Sequence, residues 1–154
     1  MDLAEFERDW EVREAEIRHI DWRRQYRDLV LRIHGAISKH LPYDPQDPRG
    51  FERAVNLELT FVSCVRVCFD RSLEYADSDI EEWGSGSWTI VGIIDDEMRW
   101  PDREDLAADG LQFYAVKADD DTVHWRRRWI HIVCRDLTFE VLGPKTDMQM
   151  PLRP

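Results

Sequence analysis

The 154-residue chain is short of three things, and each shortage closes off a class of protein. No stretch approaches the ~18 uninterrupted apolar residues of a membrane helix, so no helical membrane span is expected. Cysteines number only three, Cys64, Cys68 and Cys134, an odd count that supplies no disulfide framework. Cations are also scarce: 21 Lys and Arg stand against 32 Asp and Glu, a formal net charge of −11. Phosphate recognition draws its affinity from clustered Lys and Arg, so neither nucleic acid nor anionic lipid is expected as the main partner. Residues 1–8 are charged where a signal peptide would be apolar. With the odd cysteine count, this gives a reducing compartment, the cytoplasm, as the expected location.

What is present reads as one domain over residues 1–154. Hydrophobic residues make up 43% of the chain, and seven Trp, six Phe and four Tyr supply a core that a disordered polyanion lacks. Between residues 2 and 41 the apolar positions follow helical spacing. Leu3, Phe6 and Trp10 form one stripe, Ile17 and Ile20 continue it, and Trp22, Tyr26, Leu29, Val30, Ile33, Ile37 and Leu41 form a second. This spacing predicts two helices or one bent helix. Three prolines and a glycine then force a loop over 41–50, with a possible short helical turn at 51–55.

Over residues 51–143 the period changes to two, and about five strands are predicted. Residues 57–69 read as one bent strand or a hairpin, with a bulge or tight turn at Val62 and Ser63. Further strands are expected at 88–94 and 111–118, and a long one at 129–141, whole or broken near Asp136. Gly84, Ser85, Gly86 and Ser87 open the third strand, residues 119–121 mark a hairpin turn, and 144–154 read as a loose tail. Helices first and strands afterwards predict an α+β domain, its N-terminal helices packed on one face of a mainly antiparallel sheet. The expected aromatic core is Phe6, Trp10, Tyr26, Phe61, Phe69, Phe113 and Phe139.

The acidity is uneven. Residues 1–41 carry −1, residues 42–121 carry −13 and residues 122–154 carry +3. The middle section concentrates its carboxylates in predicted loops: Asp77, Asp79, Glu81 and Glu82; Asp95, Asp96 and Glu97; Asp102, Glu104 and Asp105; Asp119, Asp120 and Asp121. Loops gathered on one edge of a sheet would build a negative surface that steers a basic protein; the bland reading is a set of solvated turns. Trp83 and Trp100 adjoin two of the clusters and are candidate aromatic anchors of a contact surface. Arg126, Arg127 and Arg128, flanked by Trp125 and Trp129, read as a strand end that neutralises nearby carboxylates, the alternative being a phosphate patch.

No motif fixes a reaction. Cys64 and Cys68 on a strand would face the same way with Cα atoms about 13 Å apart, too far to share one zinc. His131 and Cys134 would point to opposite faces, and the acids of residues 77–81 lack the glycine and closing glutamate of a calcium loop. The glycine-flanked serines of residues 84–87 make neither a nucleophile elbow nor a phosphate loop. No catalytic residue, metal or cofactor is therefore assigned.

The whole chain resembles the small cytosolic immunity proteins encoded beside bacterial polymorphic or contact-dependent toxins. The likeness rests on the strand patterns Val-Asn-Leu-Glu-Leu-Thr-Phe-Val-Ser-Cys-Val-Arg-Val and Ile-His-Ile-Val-Cys-Arg-Asp-Leu-Thr-Phe-Glu-Val, with an acidic, Trp-rich composition. It implies a protein that is not an enzyme and that neutralises a cognate toxin domain by blocking its active site or an essential surface. Two alternatives stand beside it: an enzyme or small-ligand-binding domain with a site near His124 and His131, and a structural homo-oligomer.

Overall fold

Backbone pairing between distant strands, rather than helix packing, organises the chain. The computed structural model describes residues 1–69, 88–96, 100–120 and 126–145. Among these, nine strands form one antiparallel sheet system: β1 (Trp10–Glu11), β2 (Glu16–Arg23), β3 (Asp28–Ser38), β4 (Val55–Val62), β5 (Arg66–Phe69), β6 (Trp88–Asp95), β7 (Gln112–Asp120), β8 (Arg126–Cys134) and β9 (Asp136–Pro144). The described helices are α1 (Leu3–Asp9), α2 (Arg103–Ala108) and a single 3-10 turn, Phe51–Arg53. No described helix is long and apolar enough to cross a membrane.

This corrects the expectation of N-terminal helices on a five-stranded sheet. Helix is confined to Leu3–Asp9, which opens with a capping box between Asp2 and Glu5; residues 16–38 are instead the β2–β3 hairpin, turning at Arg27 with φ 54°. The helical spacing there has a different origin. Ile17 and Ile20 both face the core because a bulge between Ile17 and His19 resets the alternation. Leu29, Leu31 and Ile33 point inward at period two, and Val30 between them is buried on the other face. A continuous apolar run of this kind fits either periodicity. A second irregularity at Gly35, φ 102°, brings Ala36 inward. Tyr26, expected in the core, lies in the hairpin turn at 62% exposure.

The strands run in the order β5-β8-β7-β6-β2-β3-β4-β9, yet the two ends of that series are covalently continuous. β4 bends through residues 63–65 into β5, with Ser63 at φ 51°, and β8 bends at Arg135 into β9. The two bent strands pair with each other along their length, β4 with β9 and β5 with β8. The hydrogen bonds Val65 N–H to Val133 O (2.8 Å) and Arg135 N–H to Val62 O (3.0 Å) carry the ladder across the corner. On the opposite side two residue pairs join β2 to β6. The sheet therefore closes on itself, its corners made by strands that bend from one half to the other. Inward residues from both halves share one interior; Phe61 of β4 meets Tyr114 of β7 edge to face at 5.5 Å.

α1 closes one end of this interior, where Phe6, 1% exposed, packs on Phe139 and Trp10 packs on the same ring. Residues 100–111 form an outer layer on β5, β7 and β8, with Trp100, Leu106 and Leu111 covering Cys68, Phe113 and Val133. α2 within that layer was not expected, although its signals are present: Glu104 and Asp105 in the first turn and Gly110 after the last. The end is a Schellman arrangement, with Leu111 N–H on Leu106 O and Gly110 N–H on Ala107 O, and Gly110 takes φ 81°.

Truncation of Phe6 to Ala should cost about 3–5 kcal/mol of unfolding free energy in urea titrations, because a full aromatic ring leaves a closed interior. Tyr26→Ala, on the hairpin turn, should stay within about 0.5 kcal/mol of the parent protein.

Candidate functional site

The acidic cluster at the end of β6 divides between inside and outside. Strand alternation turns Asp95 outward, its side chain 76% exposed, while Asp96 is buried at 1%. One Asp96 oxygen accepts the Trp100 indole N–H at 3.2 Å; the other lies 3.0 Å from His131 Nδ1. The Arg103 guanidinium donates to the Asp96 carbonyl at 2.6 Å, lies over the Phe113 ring at 4.2 Å and reaches Asp95 at 3.8 Å. Trp129 stacks parallel to the His131 ring. Asp96, Trp100 and His131 thus fasten the outer layer to the sheet. Trp100, expected beside a contact surface, is buried at 6% and serves this anchorage.

Asp102 makes the second fastening, a bidentate pair with Arg66 at 2.8 and 2.5 Å. Its carboxyl is held below the ordinary carboxylate range by the Arg66 hydrogen bonds, against a smaller opposing effect of burial. Besides these two committed carboxylates, the exposed acids of the layer are Asp95, Glu104, Asp105 and Asp109.

α1 faces Asp95 across an open groove of about 400 Å³. Asp2, Glu7 and Asp95 supply three carboxylates to its walls; Leu3, Ala4 and Phe113 supply apolar surface, with Gln112 and Tyr114 completing the lining. Glu7 has no ion-pair partner among the described residues, and one Asp2 oxygen caps the helix through the Glu5 N–H. The Tyr114 hydroxyl donates toward Met1 O and Gln112. Burial, then the nearby negative charges including Asp136, Asp2 and Glu5, pushes its pKa well above the usual value, so it stays a neutral donor.

The acidic runs do not all gather on one edge. Asp119 pairs with Thr89 at the start of β6, whereas Asp95 ends that strand. Six residues of extended chain place them about 20 Å apart. Asp119 is also neutralised by Arg127 at 3.1 Å, and the backbone of Asp120 lies opposite Arg126. Arg128 is buried against the Trp88 ring, so the described part of the basic run acts as a neutralising strand end. Asp77, Asp79, Glu81, Glu82, Trp83, Glu97, Asp121 and His124, with the serines of 84–87, lie outside the described residues, as does most of the expected tail.

The thiols correct another expectation. Cys64 faces the interior and Cys68 the outer layer, because the left-handed Ser63 and the corner after it reset the alternation. Cys64 instead meets Cys134 inside the corner, and that thiol contact, then burial, pushes the Cys134 pKa far up. All three thiols are buried and none is in a disulfide, and no metal-binding cluster exists among the described residues.

Sequence reasoning missed Asp2, Glu7, Gln112 and Phe113 as neighbours of Asp95. The acids of the first turn were visible, but only the fold sets them across from β6. No protein-family model matches the chain, and neither a curated protein nor a solved structure is detectably similar to it.

Asp96→Ala should cost about 2 kcal/mol by leaving the Trp100 indole and His131 Nδ1 without their buried acceptor. Amide hydrogen exchange should show the loss first in α2. For Asp102, carboxyl NMR titration should find a pKa below 3.8 that rises toward that value in Arg66→Ala. Because the folded value is the depressed one, this pair's contribution is complete above the unfolded pKa and fades as pH falls through the folded one.

Proposed function

We propose that the chain is an acidic protein-binding inhibitor, of the kind represented by immunity proteins, that neutralises a bacterial toxin domain by docking on its basic surface. The observation that carries this reading is the groove between α1 and the β6–β7 ladder, where three carboxylates surround apolar surface. α2, tied to Asp95 through Arg103, carries exposed Glu104 and Asp105, with exposed Asp109 at its end. Together with the net charge of −11, such a face attracts a basic protein over distance and offers apolar contact on arrival.

Binding here needs no chemistry from the inhibitor. The Asp96–His131 pair is the feature that an enzyme reading would start from. Its geometry supports anchorage better, since Trp100 and His131 share the carboxylate and Trp129 covers the ring. Action in the cytoplasm is supported by the three buried thiols, none of them in a disulfide.

The test is affinity capture from lysate of the source organism at low and moderate salt, followed by association kinetics with the captured protein. A stoichiometric basic partner whose on-rate falls about tenfold or more in Asp95→Lys/Glu104→Lys/Asp105→Lys supports the proposal. An on-rate indifferent to both salt and charge reversal, or the absence of any basic partner, overturns it.

A further inference from the structure

We propose that Cys64 and Cys134 are a latent cross-strand disulfide, which a small-molecule disulfide such as glutathione disulfide closes to lock the corner between the two bent strands. This does not depend on the protein-binding function above. The register on either side of the corner sets the two residues against each other. Val62 aligns with Asp136 and Arg66 with Val133, so three residues of the first strand stand against two of the second. Ser63, at φ 51°, is the extra residue, as in a bulge whose first position is left-handed. Cys64 then lies opposite Cys134, flanked by the bonds Val65 N–H to Val133 O and Arg135 N–H to Val62 O. The Cys64 N–H turns the other way, to Arg27 O at 2.7 Å, and Cys134 aligns on its far side with Gln112. This is the arrangement of a non-hydrogen-bonded pair. Opposed residues at such a site stand about 4.5 Å apart at Cα, inside the span of about 4.4–6.8 Å that a disulfide bridges.

The side chains are turned the right way as well. Both belong to the buried interior cluster, and the two thiols touch, a contact that together with burial raises the Cys134 pKa. Each thiol also donates a weak bond to a nearby carbonyl, Cys64 Sγ to Phe61 O at 3.3 Å and Cys134 Sγ to Asp136 O at 3.4 Å, so cross-linking gives up little. Cys68 packs in the outer layer with Trp100 and Val133, away from the corner, and does not compete.

Closure takes two exchange steps. The thiolate of one cysteine attacks a sulfur of glutathione disulfide, forming a mixed disulfide and releasing one glutathione thiolate, which takes up a proton. The second cysteine, deprotonated in turn, attacks the protein sulfur of that mixed disulfide, forming the Cys64–Cys134 bond and releasing the second glutathione. The two protein thiols are oxidised and the small disulfide is reduced to two thiols. Both cysteines are fully buried and the Cys134 thiol is a poor acid in the closed corner, so attack starts from a locally opened one. In a reducing compartment the pair stays as thiols. Oxidation joins positions 70 residues apart and fixes the pairing on which closure of the sheet depends.

The test is refolding of the full chain from urea through glutathione buffers of graded redox poise, then alkylation of the remaining thiols and peptide mapping by mass spectrometry. Refolding gives the oxidant access to every thiol, whatever the rate at which the folded corner opens. The Cys64–Cys134 cross-link should be the main intramolecular product, and Cys68→Ala should leave it unchanged. In urea the short Cys64–Cys68 loop should be favoured instead. The cross-linked chain should melt on the order of 5–10 °C above the reduced one, and cross-linking should favour the folded over the urea-unfolded chain by at least about a hundredfold. Pairing through Cys68 in the folded chain, the same product distribution in buffer and in urea, or a cross-linked chain that melts no higher than the reduced one would overturn the proposal.

Discussion

Everything else in the molecule is arranged around the pairing of two bent strands. Residues 55–69 and 126–144 run antiparallel across a corner, and that pairing joins β3 and β2 on one side to β7 and β6 on the other. Without it the two halves would be joined only by the two residue pairs between β2 and β6, and the apolar face of each would be open. With it, Leu57, Leu59, Phe61, Tyr114, Val116, Ile130 and Ile132 share one buried interior. The corner is also where the chain adopts its less common backbone, at Ser63, and where Cys64 and Cys134 fill the inside of the bend.

The closed sheet decides what the acidic residues can do. Because β6 and β7 are fixed in register, Asp95 and Asp119 stand at opposite ends of one ladder. One meets Arg127, whereas the other faces α1 across an apolar cleft. Two neighbouring residues, Asp95 and Asp96, point to opposite sides, one largely exposed and the other buried. The inner member then recruits His131 and Trp100 to hold down the layer that positions the outer member.

Legibility in the sequence followed the strength of local signals. Strong alternation and clear punctuation placed β4 through β9 closely, including the bend at Ser63 and the break beside Asp136. Residues 16–38 defeated the same method. Two register irregularities, at Arg18 and Gly35, and the unbroken run Leu29-Val30-Leu31 imitate three-and-four spacing. α2 was overlooked because six residues give too little periodicity, even with their capping signals in place. At the site, charge clustering drew attention to Asp95, but its neighbours come from residues 2–7 and 112–114. That adjacency is a property of closure, which no local pattern encodes. The same holds for Trp100, whose burial depends on a layer made by the chain that follows it.

The corner pairing also sets an order in time. Its partners are separated by 61 residues at Phe69 and Ile130 and by 89 at Val55 and Pro144. Contacts so distant require a large loop-closure entropy before they return any burial, which places this topology among slow-folding ones. During synthesis the first five strands leave the ribosome before the strand that completes their sheet exists. Until β8 and β9 arrive, β4 and β5 hold an unpaired edge beside uncovered Leu57, Leu59 and Phe61, the kind of surface that chaperones bind and aggregates grow from.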